Sequence, residues 1–558
     1  MKYGSKFLAV AVAFVALAGA RTLRALPVEK AVAPLQTSSG TVVGMALPSG
    51  VKAWYGVPFA APPTGALRWQ LPQERSWKGV WNADRKMPEC MQVLRPHEIN
   101  HYFGEEATSE DCLYMNIWAP GSATSRSKLP VIVFIYGGGG TIGSSGSALY
   151  AGENVAKRNA VYVNFNYRVG VLGFMAHPEL TKEQGGHSGN YAYLDQNAAL
   201  KWIHANIARF GGDPARVVIM GQSAGASSVI QQTFSPLSKG LFSGAVMSSG
   251  CSWGSATATS LAEGEKNGLE IQKRLGAANL AEMRSLPADR IIAAQAEFQV
   301  GVSITGVRAS GVIDGYFMPK SQADLLKAHE INDVPIIASF NHDESVNALM
   351  SAQSVDEYRG IARRMYGVDA DAFLELYPVN SVADIRSVAG QAARENGLES
   401  NARNCAVLQT QYNQSKAYID TFSKRHSYAP DVKIADQDLA TIGAYHTADI
   451  PFWFDTLDAF NLMRSTRVWT PADRELSSKM MGALLAFAAT GNPSTQDVEW
   501  PAWTSANEVK VEFGGSGKPV AVVRLNAKGI DWLKAHPAQA VTAAPGTGGA
   551  RSGGGPRD

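Results

Sequence analysis

The feature that most constrains this chain is a serine at the centre of a Gly-x-Ser-x-Gly motif, at residues 221–225. Residues 216–220 form a short β-branched apolar run, which predicts a strand, and residues 226–232 are free of Gly and Pro, which predicts a helix. A strand, this motif and a helix in immediate succession indicate a tight turn that presents Ser223 as a nucleophile. The two glycines fit this turn because the adjoining strand and helix leave no room for a Cβ.

The same pattern recurs at residues 250–254, which is unsurprising in a chain with 54 glycines. Here the central Ser252 is followed by the bulky Trp253, where the turn requires a small residue. A Ser/Thr/Ala-rich stretch then takes the place of a helix. We therefore predict a loop after a strand at this second copy, and we assign the nucleophile to Ser223.

Length, charge and composition limit the function classes open to the chain. Its 558 residues could hold two or more average domains, but α/β enzymes often form one large unit of this length. The formal net charge is +2 and no Lys/Arg-rich run occurs, which argues against a nucleic-acid-binding surface. No Cys/His spacing resembles a zinc site. We expect a globular protein, monomeric or homodimeric, with no metal and no cofactor.

The two ends of the chain are predicted to lie outside the folded domain. An apolar run at residues 7–17 and a small-x-small site at residues 18–20 have the pattern of an export signal, and the run is shorter than the roughly 20 residues that span a bilayer. We expect cleavage that removes residues 1–20, with Ala25 as the alternative site, and an exported protein, periplasmic or extracellular, without a membrane span. Residues 537–558, rich in Ala, Gly and Pro, are predicted to be a disordered tail.

Export makes the four cysteines candidates for disulfides. Cys90 and Cys112 are near enough in sequence to close one modest loop, worth about 3 kcal/mol by chain entropy. Cys251 and Cys405 are far apart in sequence. Whether they pair or remain buried thiols is left open by the sequence.

Apolar strands alternate with helical segments along the chain. Between strands, helix-rich stretches at residues 261–330 and 355–413 are predicted insertions over the carboxyl edge of a sheet, where catalytic loops belong. Continuous apolar strands separated by helices indicate an α/β fold with a large, mostly parallel central sheet flanked by helices. We expect one such domain over residues 38–535. The predicted elements are a hairpin at 41–56, strands at 113–118, 131–136, 160–165, 216–220, 244–249 and 333–338, and a helix at 191–209.

A serine nucleophile needs a base to take its proton and an acid to orient that base. In folds of this type the partners follow in the order serine, acid, histidine. His446 lies in a loop of small residues that opens onto apolar ones, and we place the base there. By contrast, His329 ends a predicted helix, His426 lies among charged residues in a predicted surface loop, and His536 borders the tail.

Two adjacent carboxylates are candidates for the acid. Asp343 and Glu344 directly follow the predicted strand at 333–338, so both fall at the carboxyl end of a strand. Either carboxylate would hold the imidazole in one tautomer and stabilise the imidazolium that forms during attack. The local chemistry leaves the choice between them open.

Four consecutive glycines at residues 137–140 follow the strand predicted at 131–136. A flexible linker is unexpected directly after a buried strand. Glycines at this point let backbone N–H groups approach the oxyanion of a tetrahedral intermediate without side-chain clash. The predicted donors are Gly138, Gly139 and the N–H of Ala224.

With these features together, the chain resembles the type-B carboxylesterases, a family of α/β-hydrolases that includes cholinesterases, fungal lipases and bacterial esterases. The similarity runs from about residue 38 to residue 525. It is carried by motifs at residues 55–63, 67–69, 110–118, 166–168, 210–214 and 490–493.

The resemblance implies an α/β-hydrolase fold and roles for particular residues. Position by position, it makes Ser223 the nucleophile and His446 the base, and it favours Glu344 over Asp343 as the acid. The oxyanion donors that it implies are those already predicted. It also implies a disulfide between the first two cysteines, at positions 90 and 112.

Several positions depart from the family pattern. Gln222 stands where the family usually has Glu, so we expect weaker stabilisation of the imidazolium and of cationic substrates. Gly140 stands where Phe or Trp usually follows the glycines, which should widen the floor of the pocket. Thr447 and Asp449 stand where Gly and Glu are more usual. Trp253 is a candidate wall of the acyl pocket or a plain core residue.

The segment between Cys90 and Cys112 offers Tyr102 and Phe103 where cholinesterases have the Trp of their cation site, and it is short for an interfacial lipase lid. Choline esters and long triglycerides are therefore disfavoured. We expect a serine carboxylic-ester hydrolase for small to medium esters, and similar bacterial esterases extend this to aromatic, plant-derived or mycotoxin esters. The alternatives are amide or carbamate hydrolysis by the same groups, and a non-catalytic binding domain, which the filled triad positions disfavour.

Overall fold

A computed structural model describes residues 30–93, 107–254, 259–298, 304–306, 310–435, 437–515 and 517–540. The predicted export signal, most of the predicted tail, and both aromatic residues of the 90–112 segment lie outside these ranges. The beginning of the predicted tail is not free: the Gln539 N–H donates a hydrogen bond to the Met365 carbonyl. No helix in the described ranges combines the length and apolar character needed to cross a membrane.

The strands, in chain order, are β1 (Lys30–Ala31), β2 (Leu35–Gln36), β3 (Thr41–Val43), β4 (Met45–Ala46), β5 (Lys52–Pro58), β6 (Val80–Asn82), β7 (Glu89–Cys90), β8 (Thr108–Ser109), β9 (Tyr114–Ala119), β10 (Leu129–Ile135), β11 (Val161–Phe165), β12 (Gly212–Gln222), β13 (Gly244–Ser248), β14 (Thr259–Ser260), β15 (Ala296–Phe298), β16 (Ile304–Gly306), β17 (Val312–Ile313), β18 (Ile336–Asn341), β19 (Ala417–Phe422), β20 (Val509–Phe513) and β21 (Val520–Arg524).

The α-helices are α1 (Glu153–Ala156), α2 (Gly170–Phe174), α3 (Pro178–Glu183), α4 (Tyr191–Asn206), α5 (Ala224–Phe234), α6 (Leu261–Leu275), α7 (Leu280–Ser285), α8 (Ala288–Gln295), α9 (Gln322–Lys327), α10 (Val355–Tyr366), α11 (Ala370–Leu376), α12 (Val382–Asn396), α13 (Leu398–Tyr412), α14 (Ile450–Phe454), α15 (Pro471–Thr490) and α16 (Ala527–Ala535). The helix-rich character predicted for residues 261–330 and 355–413 is confirmed.

The largest sheet in the described residues has twelve strands, in the order β1-β4-β5-β9-β11-β10-β12-β13-β18-β19-β20-β21. From β11 to β20 in this order, each strand is parallel to the next. Antiparallel strands extend the sheet at both edges, β9, β5, β4 and β1 on one side and β21 on the other. The predicted parallel centre is confirmed, and the edges make the sheet mixed.

Most predicted elements fall within a few residues of the observed ones, and the exceptions have local causes. The hairpin turns between β4 and β5, where the Gly50 N–H donates to the Leu47 carbonyl, as predicted. The strand predicted at 333–338 begins only at Ile336, because Pro335 has no N–H to contribute to the ladder. The shift moves the carboxyl end of this strand to Asn341.

Helices cover the parallel strands and complete the main core. Helix α5 packs on β12 and β13, α13 on β18 and β19, and α15 on β10 and β12. Every residue of β11, β13, β18 and β19 is buried, which is typical of parallel strands covered on both faces. Because β12, β13, β18 and β19 are parallel neighbours, their carboxyl ends meet at one edge of the sheet.

Two disulfides close loops in the described chain. Cys90 is bonded to Cys112, as predicted. Cys251 is bonded to Cys405, which answers the question the sequence left open. The second bond ties the loop after β13 to helix α13.

We predict that removal of the second disulfide destabilises the protein more than removal of the first. The two bonds close loops of 154 and 22 residues, which chain entropy converts to about 5 and about 3 kcal/mol of unfolding free energy. Urea unfolding of the double variants Cys251→Ala/Cys405→Ala and Cys90→Ala/Cys112→Ala measures the difference. Equal midpoints, or a lower midpoint for the Cys90→Ala/Cys112→Ala protein, would contradict the prediction.

Candidate active site

Ser223 occupies the turn between the end of β12 and the start of α5, with φ +58° and ψ −123°. A positive φ is unfavourable for a residue with a Cβ, so the turn is strained. The Ser223 N–H donates to the Ser248 carbonyl over 2.9 Å. A Cβ on Gly221 would lie 2.1 Å from the Gly225 oxygen, and one on Gly225 would lie 2.1 Å from the Ile135 oxygen. Both glycines are therefore required sterically, as the sequence indicated.

The second Gly-x-Ser-x-Gly copy is a loop after β13, as predicted. Trp253 in this loop is buried and packs edge-to-face on Phe234, with ring centroids 5.3 Å apart. It belongs to the main core and also lines an outer groove of about 480 Å³ beside α9 and α13. Its contribution to the acyl pocket stays a prediction.

Glu344 and His446 are brought together by the structure, since His446 Nδ1 lies 2.5 Å from Glu344 Oε2. The Glu344 side chain is 1% exposed, whereas the imidazole is 43% exposed. The other carboxylate oxygen accepts hydrogen bonds from Ser249 Oγ at 2.8 Å and from the Asn341 N–H at 2.6 Å. Because a carboxylate only accepts, Nδ1 carries the proton, and the ring presents Nε2 away from the sealed acid.

Asp343 contacts the backbone of the loop before the histidine. Its Oδ2 accepts from the Ala444 N–H at 2.8 Å, and its own N–H donates to the Ala444 carbonyl at 3.1 Å. Burial raises the pKa of Asp343, but the hydrogen bond and charge of His342, the Ala444 N–H and the charge of Arg394 together lower it below the usual value. A Cβ on Gly443 would lie 2.2 Å from Asp343 Oδ2, so this clamp requires glycine there. The two adjacent carboxylates thus make different contacts.

Gln222 is buried and contacts the outward nitrogen of the imidazole: its Nε2 lies 3.1 Å from His446 Nε2. With the ring proton on Nδ1, Nε2 offers a lone pair that accepts the amide N–H. This hydrogen bond is available only while the imidazole is neutral. The Ser223 hydroxyl must replace or share it before its proton can move to Nε2.

The pKa of His446 is raised above its ordinary value. Partial burial of the ring lowers this pKa, but the hydrogen bond that Nδ1–H donates to Glu344, the charge of Glu344 and the charge of Asp449 raise it by more. Asp449 is fully buried and accepts from Ser248 Oγ at 2.7 Å and from Asn341 Nδ2 at 3.1 Å. Burial raises the pKa of the Asp449 carboxyl as well. In the sequence, Asp449 stands out only as a departure from the family pattern, and nothing there indicates this buried cluster.

The glycine run passes directly beside Ser223. A Cβ on Gly137 would lie 3.0 Å from Ser223 Cβ, and one on Gly138 would lie 2.2 Å from the Ile142 oxygen. Gly138, Gly139 and Gly140 have φ values of +105°, +64° and +72°. Ala224 is the first residue of α5, where backbone N–H groups have no partner within the helix.

Gly140 borders an aromatic wall. A Cβ at this position would lie 3.3 Å from Phe174 Cε2. Phe174 is buried and packs edge-to-face on Tyr193, with centroids 5.1 Å apart. The room left by the missing side chain is therefore bounded by Phe174.

Three histidines that the sequence disfavoured as the base have other surroundings. His329 is exposed just after α9, and His536 stacks on Trp532 at the end of α16. The prediction of a surface loop was wrong for His426, which is 2% exposed. Its imidazole donates to the Ala448 carbonyl and is surrounded by aromatic rings, so it faces inward although Lys424 and Arg425 precede it.

The chain is similar in sequence to known esterases. The sequence model of the carboxylesterase family matches residues 31–524. Fumonisin B1 esterase of Sphingopyxis macrogoltabida is 35% identical over 503 residues, covering 87% of this chain and 88% of that protein. Para-nitrobenzyl esterase of Bacillus subtilis (strain 168) is 29% identical over 464 residues, covering 82% of this chain and 89% of that protein.

A solved structure of a PNB esterase superposes with a TM-score of 0.69 at 26% identity, covering 89% of this chain and 98% of that one. The α/β-hydrolase fold implied by the sequence is thereby confirmed. The chain belongs to the carboxylesterase family, and it is a carboxylesterase.

Proposed function

We propose that the enzyme hydrolyses carboxylic esters through an acyl-enzyme formed on Ser223, with His446 as base and Glu344 as the acid that orients it. The observation that carries this proposal is the 2.5 Å contact between Glu344 and His446, at the same sheet edge as the strained Ser223 turn. A sealed carboxylate fixes the tautomer that leaves Nε2 free to take a proton.

In the first half of the reaction, Ser223 Oγ attacks the ester carbonyl while its proton passes to His446 Nε2. The carbonyl oxygen becomes an oxyanion, for which Gly138, Gly139 and Ala224 supply backbone N–H groups. Nε2–H then protonates the departing alkoxide, and an alcohol leaves. In the second half, water attacks the acyl-enzyme by the same proton transfers, releasing the acid and the free serine.

We propose small to medium esters with an aromatic part as the substrates. Phe174, beside Gly140, offers an aromatic surface next to the oxyanion donors. Gln222 contributes no negative charge beside the base, which disfavours choline esters. A relative named as a fumonisin B1 esterase supports the extension to mycotoxin-type esters. The two disulfides support an exported protein.

Ser223→Ala is expected to lower kcat on p-nitrophenyl acyl esters by on the order of 10⁴-fold or more, because no other group replaces the nucleophile. A panel of graded chain length and aryl bulk, with matched p-nitroanilides, also separates ester from amide hydrolysis. Ser252→Ala, in the second copy of the motif, is the matched control and should retain activity. Activity that survives in Ser223→Ala would overturn the mechanism.

Glu344→Gln and Asp343→Asn form a matched pair of adjacent neutralisations. We expect Glu344→Gln to lower kcat roughly 10³-fold or more, since the amide no longer fixes the tautomer or stabilises the imidazolium. Asp343→Asn should cost far less, because it changes a contact to the Ala444 backbone. Steady-state kinetics on one p-nitrophenyl ester measures both. The reverse ranking would assign the acid to Asp343.

Gln222→Glu is expected to shift the acidic limb of the pH–kcat/KM profile upward by about 1 pH unit. Activity requires neutral His446, so the limb follows its pKa, which the wild-type site already raises. A carboxylate at 222 accepts from protonated Nε2 and favours the charged ring, whereas the amide favours the neutral ring. Gln353→Glu, at an exposed position, is the charge-matched control. An acidic limb that stays in place or moves downward would contradict the account.

A further inference from the structure

The loop that carries His446 contains a strained residue. Thr447 has φ +79°, a conformation that a β-branched residue rarely adopts. It directly follows His446, so its backbone sets the direction from which the imidazole reaches the site. Such strain persists only where surrounding contacts hold the backbone in place.

One side of this loop is held by the end of β18. Asn341 Nδ2 donates to the Tyr445 carbonyl at 2.8 Å, and Asp343 pairs with the backbone of Ala444. These contacts fix the chain before His446. Beyond Thr447, Asn341 Nδ2 also donates to Asp449 Oδ1 at 3.1 Å, and within the loop the Ala448 N–H donates to the Tyr445 carbonyl at 2.9 Å.

The other side is held by His426, through contacts that lie on both sides of His446. His426 Nε2 lies 2.9 Å from the Ala448 carbonyl, which only accepts, so Nε2 carries the proton. His426 Nδ1 is therefore a lone pair, and it accepts from the Tyr445 hydroxyl at 3.2 Å and from Arg467 Nε at 3.3 Å. One neutral imidazole thus joins Tyr445 and Ala448, the residues that bracket His446 and Thr447.

The surroundings keep this imidazole neutral. Burial, together with the adjacent Arg467 guanidinium, lowers the pKa of His426 to about 3. Lys424 also lowers this pKa, while the bond to Ala448 and the charge of Asp473 oppose the shift. The remaining faces are aromatic, with the rings of Phe452, Phe460 and Trp469 packed around it. His426 therefore keeps one donor and one acceptor across the pH range in which an esterase works.

We propose that His426 is a positioning residue for ester hydrolysis: it clasps the segment from Tyr445 to Ala448 and holds the strained Thr447 backbone that aims His446. The inference rests on the proposed role of His446 as base. His426 does not touch the reacting atoms, and it acts through the loop alone.

The strain at Thr447 allows a test by a double-mutant cycle, which measures whether His426 and Thr447 act on the same backbone conformation. Glycine adopts φ +79° without steric cost. In the Thr447→Gly background the loop needs less support, so loss of His426 should matter less. Two groups that act through one backbone conformation are expected to be non-additive.

The experiment compares His426→Ala, His426→Gln, Thr447→Gly and the double variant His426→Ala/Thr447→Gly on one p-nitrophenyl ester. Active-site titration with a phosphonate inhibitor gives turnover per functional site, so partial unfolding lowers the number of sites and not the rate. We expect His426→Ala to lower kcat per site by about 100-fold with little change in KM, as for a misplaced catalytic group. Its acidic limb should move toward lower pH, because a displaced imidazole loses the hydrogen bond to Glu344 that raises its pKa.

His426→Gln supplies an amide donor for Ala448 and an acceptor for Tyr445 and Arg467, and should recover most of the lost turnover. In the Thr447→Gly background, His426→Ala should cost only about tenfold, in keeping with the coupling expected between neighbours. If His426→Ala yields no titratable sites, His426→Asn replaces it and is compared with His426→Gln. The Asn side chain is too short to span the loop.

An unchanged kcat per site, an equal loss in His426→Gln, or the same loss in both Thr447 backgrounds would overturn the proposal. His446→Gln in the same assay separates failure of the proposed function from failure of the role proposed for His426. Full activity in His446→Gln would refute the proposed function itself. If His446→Gln is inactive while His426→Ala keeps the wild-type kcat per site, only the role proposed for His426 is refuted.

Discussion

The hydrogen bond between Glu344 and His446 is the contact on which the rest of the site depends. The two residues are about a hundred positions apart. Glu344 follows the end of β18, and Asn341 and Asp343 at that strand end hold the backbone of the loop that carries His446. Sealing the carboxylate fixes the imidazole tautomer, and in the proposed mechanism this tautomer leaves Nε2 to accept the serine proton. In that mechanism the fold contributes by holding the histidine loop against the end of β18.

The buried polar groups behind the histidine set its charge balance. Asp449 and Glu344 favour the charged imidazole, whereas the Gln222 amide favours the neutral one. Ser248 and Ser249, at the end of β13, link these two carboxylates to the sheet through hydrogen bonds. The site thus combines a negatively charged interior with a neutral group beside the reacting nitrogen.

Short sequence patterns predicted those features of the fold and the site that depend on steric contacts between residues close in sequence. The glycines around Ser223, the glycine run and the alternation of strands and helices were readable, because each follows from a missing Cβ or an apolar period. Contacts between segments far apart in sequence could not be predicted in this way. His426 was assigned to the surface because Lys424 and Arg425 precede it, yet its imidazole turns inward to a carbonyl more than twenty residues away. Pairing of Cys251 with Cys405 likewise needed the placement of α13.

The most direct test of the central claim is the site of covalent labelling by an aryl phosphonate. Trypsin separates the two candidate serines, since Ser223 falls in the peptide 217–239 and Ser252 in the peptide 240–266. The account predicts one phosphonate adduct, on the first peptide, formed in step with loss of esterase activity and absent in Ser223→Ala. An adduct on the second peptide, or complete inactivation without an adduct on Ser223, would contradict it.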